Sequence, residues 1–235
     1  MDTPKALLFD VFGTLVDWRG SIARAVHARL GALGLAVDGA AFATAWRDQY
    51  QPAMEEVRSG RQAFDKLDAL HRRNLDAVLP AFGLDALDAA TREQLNLAWH
   101  RLDAWPDVGA GLARLRRCCL LAPCSNGNIS LMVDLARHNG WHWDTVLGAE
   151  LARDYKPKAI VYLSAIDALA CAPGEAMMVA AHSSDLAAAA AAGLRTAFLA
   201  RPDEHGPGQG ETAASVPVEL SVRSLTELAD RLGAG

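Results

Sequence analysis

Four short apolar runs constrain the fold of this chain more than any other feature. They cover residues 6–9, 120–124, 176–181 and 196–200, and each ends at a polar or turn-forming residue. Each is strand-sized, and helical periodicity fills the intervals between the later runs. That alternation predicts an α/β fold: a doubly wound, mainly parallel sheet with helices on both faces. Residues 145–147 and 218–222 are weaker strand candidates. Helices are predicted over 129–138, ending at Asn139-Gly140, over 158–170, and over 186–192, the last closed by Gly193 as a left-handed cap.

The interval between the first two runs is different, because residues 18–104 contain no strand-like run. Ser21 suits the N-cap of a helix whose apolar face is Ile22, Val26, Leu30 and Leu33, closed by Gly34. Phe42, Trp46 and Tyr50 follow at helical spacing, then Leu67, Leu70 and Leu75, then Leu95, Trp99 and Leu102. Trp105-Pro106 marks the return, since a residue before proline is pushed out of the helical region. The expected organisation is an α/β core of residues 1–17 and 105–235 carrying an inserted helical cap of residues 18–104, able to close over the sheet edge and exclude water. Residues 202–210 form a loop rich in glycine and proline to which the sequence assigns no role.

A chain of 235 residues, 51% apolar, has ample material for such a core, and its net charge of −5 gives no basis for nucleic-acid binding. No apolar run is long enough to span a membrane, and no basic, then apolar, leader opens the chain. Cys118, Cys119, Cys124 and Cys171 lack metal-ligand spacing, and neighbouring Cys118 and Cys119 pair poorly with each other. They read as reduced core thiols of a cytoplasmic protein.

The chemistry gathers at the strand ends, where open parallel sheets bind ligands. Asp10 and Thr14 follow the first run, Ser125-Asn126-Gly127-Asn128 the second. Lys156-Pro157 comes next, and His182-Ser183-Ser184-Asp185 ends the third run. Singly, each has an ordinary explanation as a turn or cap residue. Together they make a coherent site. A desolvated, aimed carboxylate such as Asp10 is a usable nucleophile, and a nearby lysine keeps it ionised despite burial. Ser125 and Asn126 supply hydrogen bonds to an anion, and Asp185 can hold the lysine and orient a water.

Asp10 to Leu15, Ser125 to Gly127, Lys156 and Asp185, in that order, resemble the four motifs of the haloacid dehalogenase superfamily over essentially the whole chain. Most of that superfamily are magnesium phosphatases with a second Asp two residues after the nucleophile. Here that residue is Phe12. With Asp10-Val-Phe-Gly-Thr-Leu-Val-Asp17, Ser125-Asn-Gly-Asn and Tyr155-Lys-Pro-x4-Val-Tyr162, the chain resembles the L-2-haloacid dehalogenase branch. Ala180-Ala181-His182 before the last motif resembles a sub-branch of it.

The resemblance implies a hydrolase of short (S)-2-haloacids that needs no metal or cofactor. Asp10 would displace halide from C2 with inversion, forming an aspartyl ester that water hydrolyses to the (R)-2-hydroxyacid. Thr14 would orient Asp10, and Lys156 would balance its charge. Ser125 and the backbone N–H groups of Val11 and Phe12 would hold the substrate carboxylate. Arg47 and Asn126 would cradle the halide, and Tyr162 would stand near the lysine. His182 replaces an asparagine that positions water in studied members. It reads equally as a water-orienting partner, even a base, or as a supporting group. Relatives are often dimers, so a homodimer is expected. Three alternatives remain. One is the same covalent chemistry on another 2-substituted acid such as a strained cyclic amino acid, the second a magnesium-dependent phosphatase, and the third a silent binding homologue. Fluoroacetate is within the range of the first reading.

Overall fold

The computed structural model describes residues 2–234. Strands β1 (Ala6–Phe9), β2 (Leu120–Ser125), β3 (Leu147–Gly148), β4 (Ala176–Ala180), β5 (Arg195–Leu199) and β6 (Leu220–Val222) form one sheet in the order β3-β2-β1-β4-β5-β6. Every pairing is parallel. All four apolar runs are strands; the weaker candidate at 145–147 shifts to β3, sharing only Leu147 with it, and that at 218–222 shortens to β6.

The sheet is buried on both faces, as parallel sheets are. Alternate residues of each strand serve different cores. Leu7, Phe9, Met177 and Val179 enter one, whereas Ala6, Leu8, Met178 and Ala180 enter the other. Each fully buried Leu or Phe adds roughly 1.5–3 kcal/mol of hydrophobic stabilisation.

Between β1 and β2 the chain is helical. The insertion holds α1 (Trp18–Gly31), α2 (Gly39–Asp48), α3 (Tyr50–Arg58), α4 (Leu67–Val78) and α5 (Ala89–Asn96), with short 3-10 turns after α4 and α5. Its buried residues, Trp18, Trp46 and Trp99 among them, share one apolar cluster with Phe9, Phe12 and Leu15. The helices after the insertion are α6 (Val108–Leu115), α7 (Ile129–Asn139), α8 (Ala149–Ala152), α9 (Ala159–Ala168), α10 (Ser183–Ala191) and α11 (Leu225–Arg231). α6, α7 and α11 contribute to the first core, α9 and α10 to the second.

Several local expectations change. Asp17, not Ser21, caps α1, accepting from the Gly20 N–H. Ser21 is buried inside the helix, and its hydroxyl accepts from the Asp103 N–H where the chain returns from the insertion. The helix stops at Gly31, ahead of Gly34, and Leu33 is half exposed because it lies beyond the packed face. α10 starts at Ser183, so Asp185 sits in its first turn, where a carboxylate suits the helix dipole. Cys118 is exposed and so is not a core thiol, whereas Cys124 is buried and burial pushes its thiol up to about 12. No helix among the described residues is long and apolar enough to cross a membrane.

Candidate active site

Asp10 follows β1, which pairs with β2 on one side and β4 on the other, so the strand that delivers it lies inside the sheet. Its backbone N–H is held by the Val179 carbonyl at 3.0 Å, and its side chain is 9% exposed. The two carboxylate oxygens meet different partners. Oδ1 accepts from Lys156 Nζ at 2.8 Å. Oδ2 accepts from Thr14 Oγ1 at 2.7 Å and faces His182 Nδ1 at 3.1 Å. The Thr14 hydroxyl also accepts from the Ala181 N–H at 2.9 Å, which fixes its proton on the Asp10 side.

Lys156 Nζ stands between two carboxylates, with Asp185 Oδ2 at 2.5 Å as the second. Asp185 Oδ1 accepts from the Tyr162 hydroxyl. Burial opposes every charge here, and the partners reverse the outcome. Desolvation raises the Asp10 carboxyl, but Lys156 and His182 hold it well below the usual carboxylate range. Desolvation lowers the Lys156 ammonium, but Asp10 and Asp185 keep it well above its ordinary value. Burial and the Asp185 carboxylate both push Tyr162 up, so it stays a donor.

A cavity of about 850 Å³ opens onto Asp10, with Phe12, Arg47, Tyr50, Asn126 and His182 in its wall. The Arg47 guanidinium lies 3.9 Å from the Tyr50 ring centre, with Trp18 and Phe12 at 5.3 and 5.6 Å. Its Nη1 is buried with no protein partner among the described residues. Arg47 is thus a partly desolvated donor aimed at no carboxylate, unlike an ordinary helix-face charge. Asn126 Oδ1 accepts from the Lys156 N–H at 2.8 Å, and its amide NH2 is turned to the Tyr50 side chain.

Asp10, Thr14, Lys156, Asp185, Tyr162 and His182 come together in one hydrogen-bonded group, while Phe12, Arg47 and Asn126 line the cavity beside it. Val11, Ser125 and Tyr162 are buried but do not line the cavity; Ser125 Oγ accepts from the Gly127 N–H, and the Tyr162 hydroxyl is committed to Asp185. His71 is buried and stacked on Trp99, with ring centres 4.3 Å apart.

The donor set does not suit a magnesium ion. Phe12 offers no oxygen where the phosphatase pattern places a carboxylate.

One buried acid was not anticipated. Glu204, 2% exposed, comes from the loop of residues 202–210. It meets His182 Nε2 at 2.9 Å and accepts from Trp18 Nε1 at 3.2 Å. The loop follows β5 as Asp10 follows β1, so both open at the same edge of the parallel sheet. Gly13 makes room for it: its φ is +84°, and a Cβ there would overlap the Glu204 carboxylate.

A family profile described as haloacid dehalogenase-like hydrolase matches residues 4–193. The fold superimposes on a defluorinating L-2-haloacid dehalogenase with a TM-score of 0.96 at 43% identity, covering 99% of both chains. A second L-2-haloacid dehalogenase gives 0.94 at 46% identity, covering 99% of this chain and 100% of that one. Among curated relatives, (S)-2-haloacid dehalogenase 1 of Pseudomonas sp. (strain CBS-3) is 29% identical over 97% of this chain and 96% of its own length. A phosphoglycolate phosphatase of Chromobacterium violaceum is 29% identical over 98% and 97%. With a sheet, a strand-tip aspartate and a lysine-bridged acid pair already in place, the family profile and the two structures above 40% identity agree: the chain belongs to the haloacid dehalogenase-like hydrolases, in their L-2-haloacid dehalogenase branch.

Proposed function

We propose that this chain hydrolyses short (S)-2-haloacids with Asp10 as the nucleophile. The observation that carries this assignment of roles is the unequal treatment of the two Asp10 oxygens. Oδ2 already takes two contacts, from Thr14 and His182, whereas Oδ1 has Lys156 alone and keeps a lone pair for attack. Oδ1 adds to C2 from the side opposite the halogen, the carbon–halogen bond breaks, and halide leaves with the electron pair. Halide is a good enough leaving group to need no acid, which is consistent with Phe12 in place of a proton donor. Arg47 and the Asn126 amide receive the halide. The Phe12 N–H, in the cavity wall, receives the substrate carboxylate, with the Val11 N–H and the Ser125 hydroxyl buried behind it as further donors.

Water then adds to the Asp10 carboxyl carbon, the bond from that carbon to Oδ1 breaks, and the (R)-2-hydroxyacid departs. The helical insertion of residues 18–104 serves as a cap that keeps bulk water from the charged group before alkylation. The likeness to a defluorinating L-2-haloacid dehalogenase supports including fluoroacetate in the proposed substrate range. The phosphatase relative at 29% identity supports the rival reading, and Phe12 in place of a second acid weighs against it.

One experiment separates them. The protein is mixed with L-2-chloropropionate in EDTA, quenched, and its Asp10 peptide weighed; halide release is followed in parallel with chloro-, bromo- and fluoroacetate. The expected result is a propionate adduct on that peptide and EDTA-insensitive halide release. Asp10→Asn should lower turnover by on the order of 10⁴-fold or more. Activity confined to phosphate esters with magnesium would overturn the proposal.

A further inference from the structure

Proposed roles for Asp10, Lys156 and Asp185 leave one buried acid and one ring unexplained. The His182 ring spans two carboxylates. Nδ1 faces Asp10 Oδ2 at 3.1 Å, and Nε2 faces Glu204 Oε1 and Oε2 at 3.0 and 2.9 Å. An ionised carboxylate only accepts, so a ring bonded to one at each nitrogen carries a proton on both. Such a ring has no free lone pair and takes no proton from water.

We infer that Glu204 is a positioning residue that holds His182 as an imidazolium, and that His182 donates to Asp10 Oδ2 as negative charge develops there during ester hydrolysis. This inference rests on the aspartyl-ester reading above and adds a specific role for the 202–210 loop.

The geometry suits that role. When Oδ1 becomes the ester oxygen, Oδ2 remains the carbonyl oxygen. Water adds to the carboxyl carbon, and the carbonyl electron pair moves onto Oδ2. Thr14 Oγ1 and His182 Nδ1, at 2.7 and 3.1 Å, lie within the range expected of an oxyanion hole. The tetrahedral centre collapses by breaking the bond to Oδ1. One water proton ends on the departing alkoxide, by way of the Lys156–Asp185 pair; the second, left on the new oxygen of the Asp10 carboxyl, passes to solvent as the carboxylate re-forms. Oδ2 regains its double bond, and His182 has neither lost nor gained a proton.

The surroundings favour the charged ring. The groups facing it are Asp10 after β1 and Glu204 after β5, with His205 at 3.6 Å from Glu204. Lys156 reaches it through Asp10, and the positive charge of Arg47 on α2 acts on Glu204. On its own helix Asp185 is turned to Lys156, and Ser183 is held by Glu211. Glu204 is a fixed clamp rather than a mobile surface acid. It is 2% exposed, tied to Trp18 Nε1, and lodged where Gly13 has no side chain. Desolvation opposes the imidazolium, but its bonds to Asp10 and Glu204 win and push His182 up to about 10.

The test uses Glu204→Gln, which keeps size and a hydrogen-bonding oxygen but removes the charge. Single-turnover alkylation by L-2-chloropropionate, read as the mass adduct on the Asp10 peptide, should stay within about twofold of wild type. Hydrolysis of that adduct should slow by at least about tenfold, so the adduct accumulates in steady state. Wild-type hydrolysis should keep its rate through neutral pH and fall only near pH 10, whereas the variant should lose rate at lower pH. Nitrogen-15 histidine spectra of the wild type should show both His182 nitrogens protonated at about pH 8. A neutral His182 ring there, or unchanged hydrolysis and pH profile in the variant, overturns the inference. If the variant does not fold, the wild-type spectra decide. If the wild type forms no adduct, the aspartyl-ester reading fails, and the spectra still report whether Glu204 keeps the ring charged.

Discussion

Lys156 has its ammonium between Asp10 and Asp185, with side chains 7–9% exposed. Removing one partner of a buried ion pair leaves uncompensated charge, at a cost of about 3–5 kcal/mol. Lys156→Met should therefore lower the melting temperature by roughly 6–20 °C, at about 2–4 °C per kcal/mol for a chain of this size. Calorimetry or circular dichroism checks this independently of turnover. Asp10, Lys156 and Asp185 were legible in the sequence because each carries its chemistry at a strand end or a recognisable spacing. Glu204 was not, because an acid in a loop of glycines and prolines reads as solvated until Gly13 and Trp18 are seen to bury it. Tyr162 was placed near the lysine but reaches it only through Asp185. No sequence periodicity reports on which oxygen a hydroxyl will choose.

Helices and strands were largely legible because the apolar runs and helical stripes are long and punctuated by Gly140 and Gly193. The misread boundaries lie where a side chain from elsewhere decides. Ser21 is claimed by the returning chain at Asp103, and α10 begins early, leaving Asp185 in its first turn and directed at Lys156. The contact between α3 and the Lys156 loop was equally invisible. Arg58 Nη1 donates to the Lys156 carbonyl at 2.8 Å while its Nε pairs with Glu55. It ties the inserted helices to the segment carrying the charge-balancing lysine. Arg58→Ala should raise KM for L-2-chloropropionate about fivefold, the worth of one hydrogen bond near 1 kcal/mol, with a smaller change in kcat. Steady-state kinetics measure both, and an unmoved KM would make the contact mere packing.

Over the whole molecule, the buried charges set the pH range of stability. Desolvation opposes the ionised Asp10 and Glu204, but their cationic partners lower both below the usual carboxylate range. Their contribution is present above about pH 4 and lost as pH falls. His182 has the opposite sign. Its folded value near 10 exceeds the ordinary 6.5, so its contribution is complete below about 6.5 and lost as pH rises through 10. Thermal stability should be greatest in mildly acidic solution and decline toward pH 10, and His182→Gln should flatten the alkaline decline; melting curves from pH 4 to about 10 test both limbs. The sheet order carries a further consequence. β1 pairs through Ala6 with Leu120 and Ala176, and Glu204 arrives later still. During synthesis the first strand emerges long before any neighbour that activates it. An unfinished polypeptide thus carries Asp10 as a hydrated carboxylate with neither Lys156 nor His182 nor Glu204 beside it, and the buried charge network closes only when the last of these has left the ribosome.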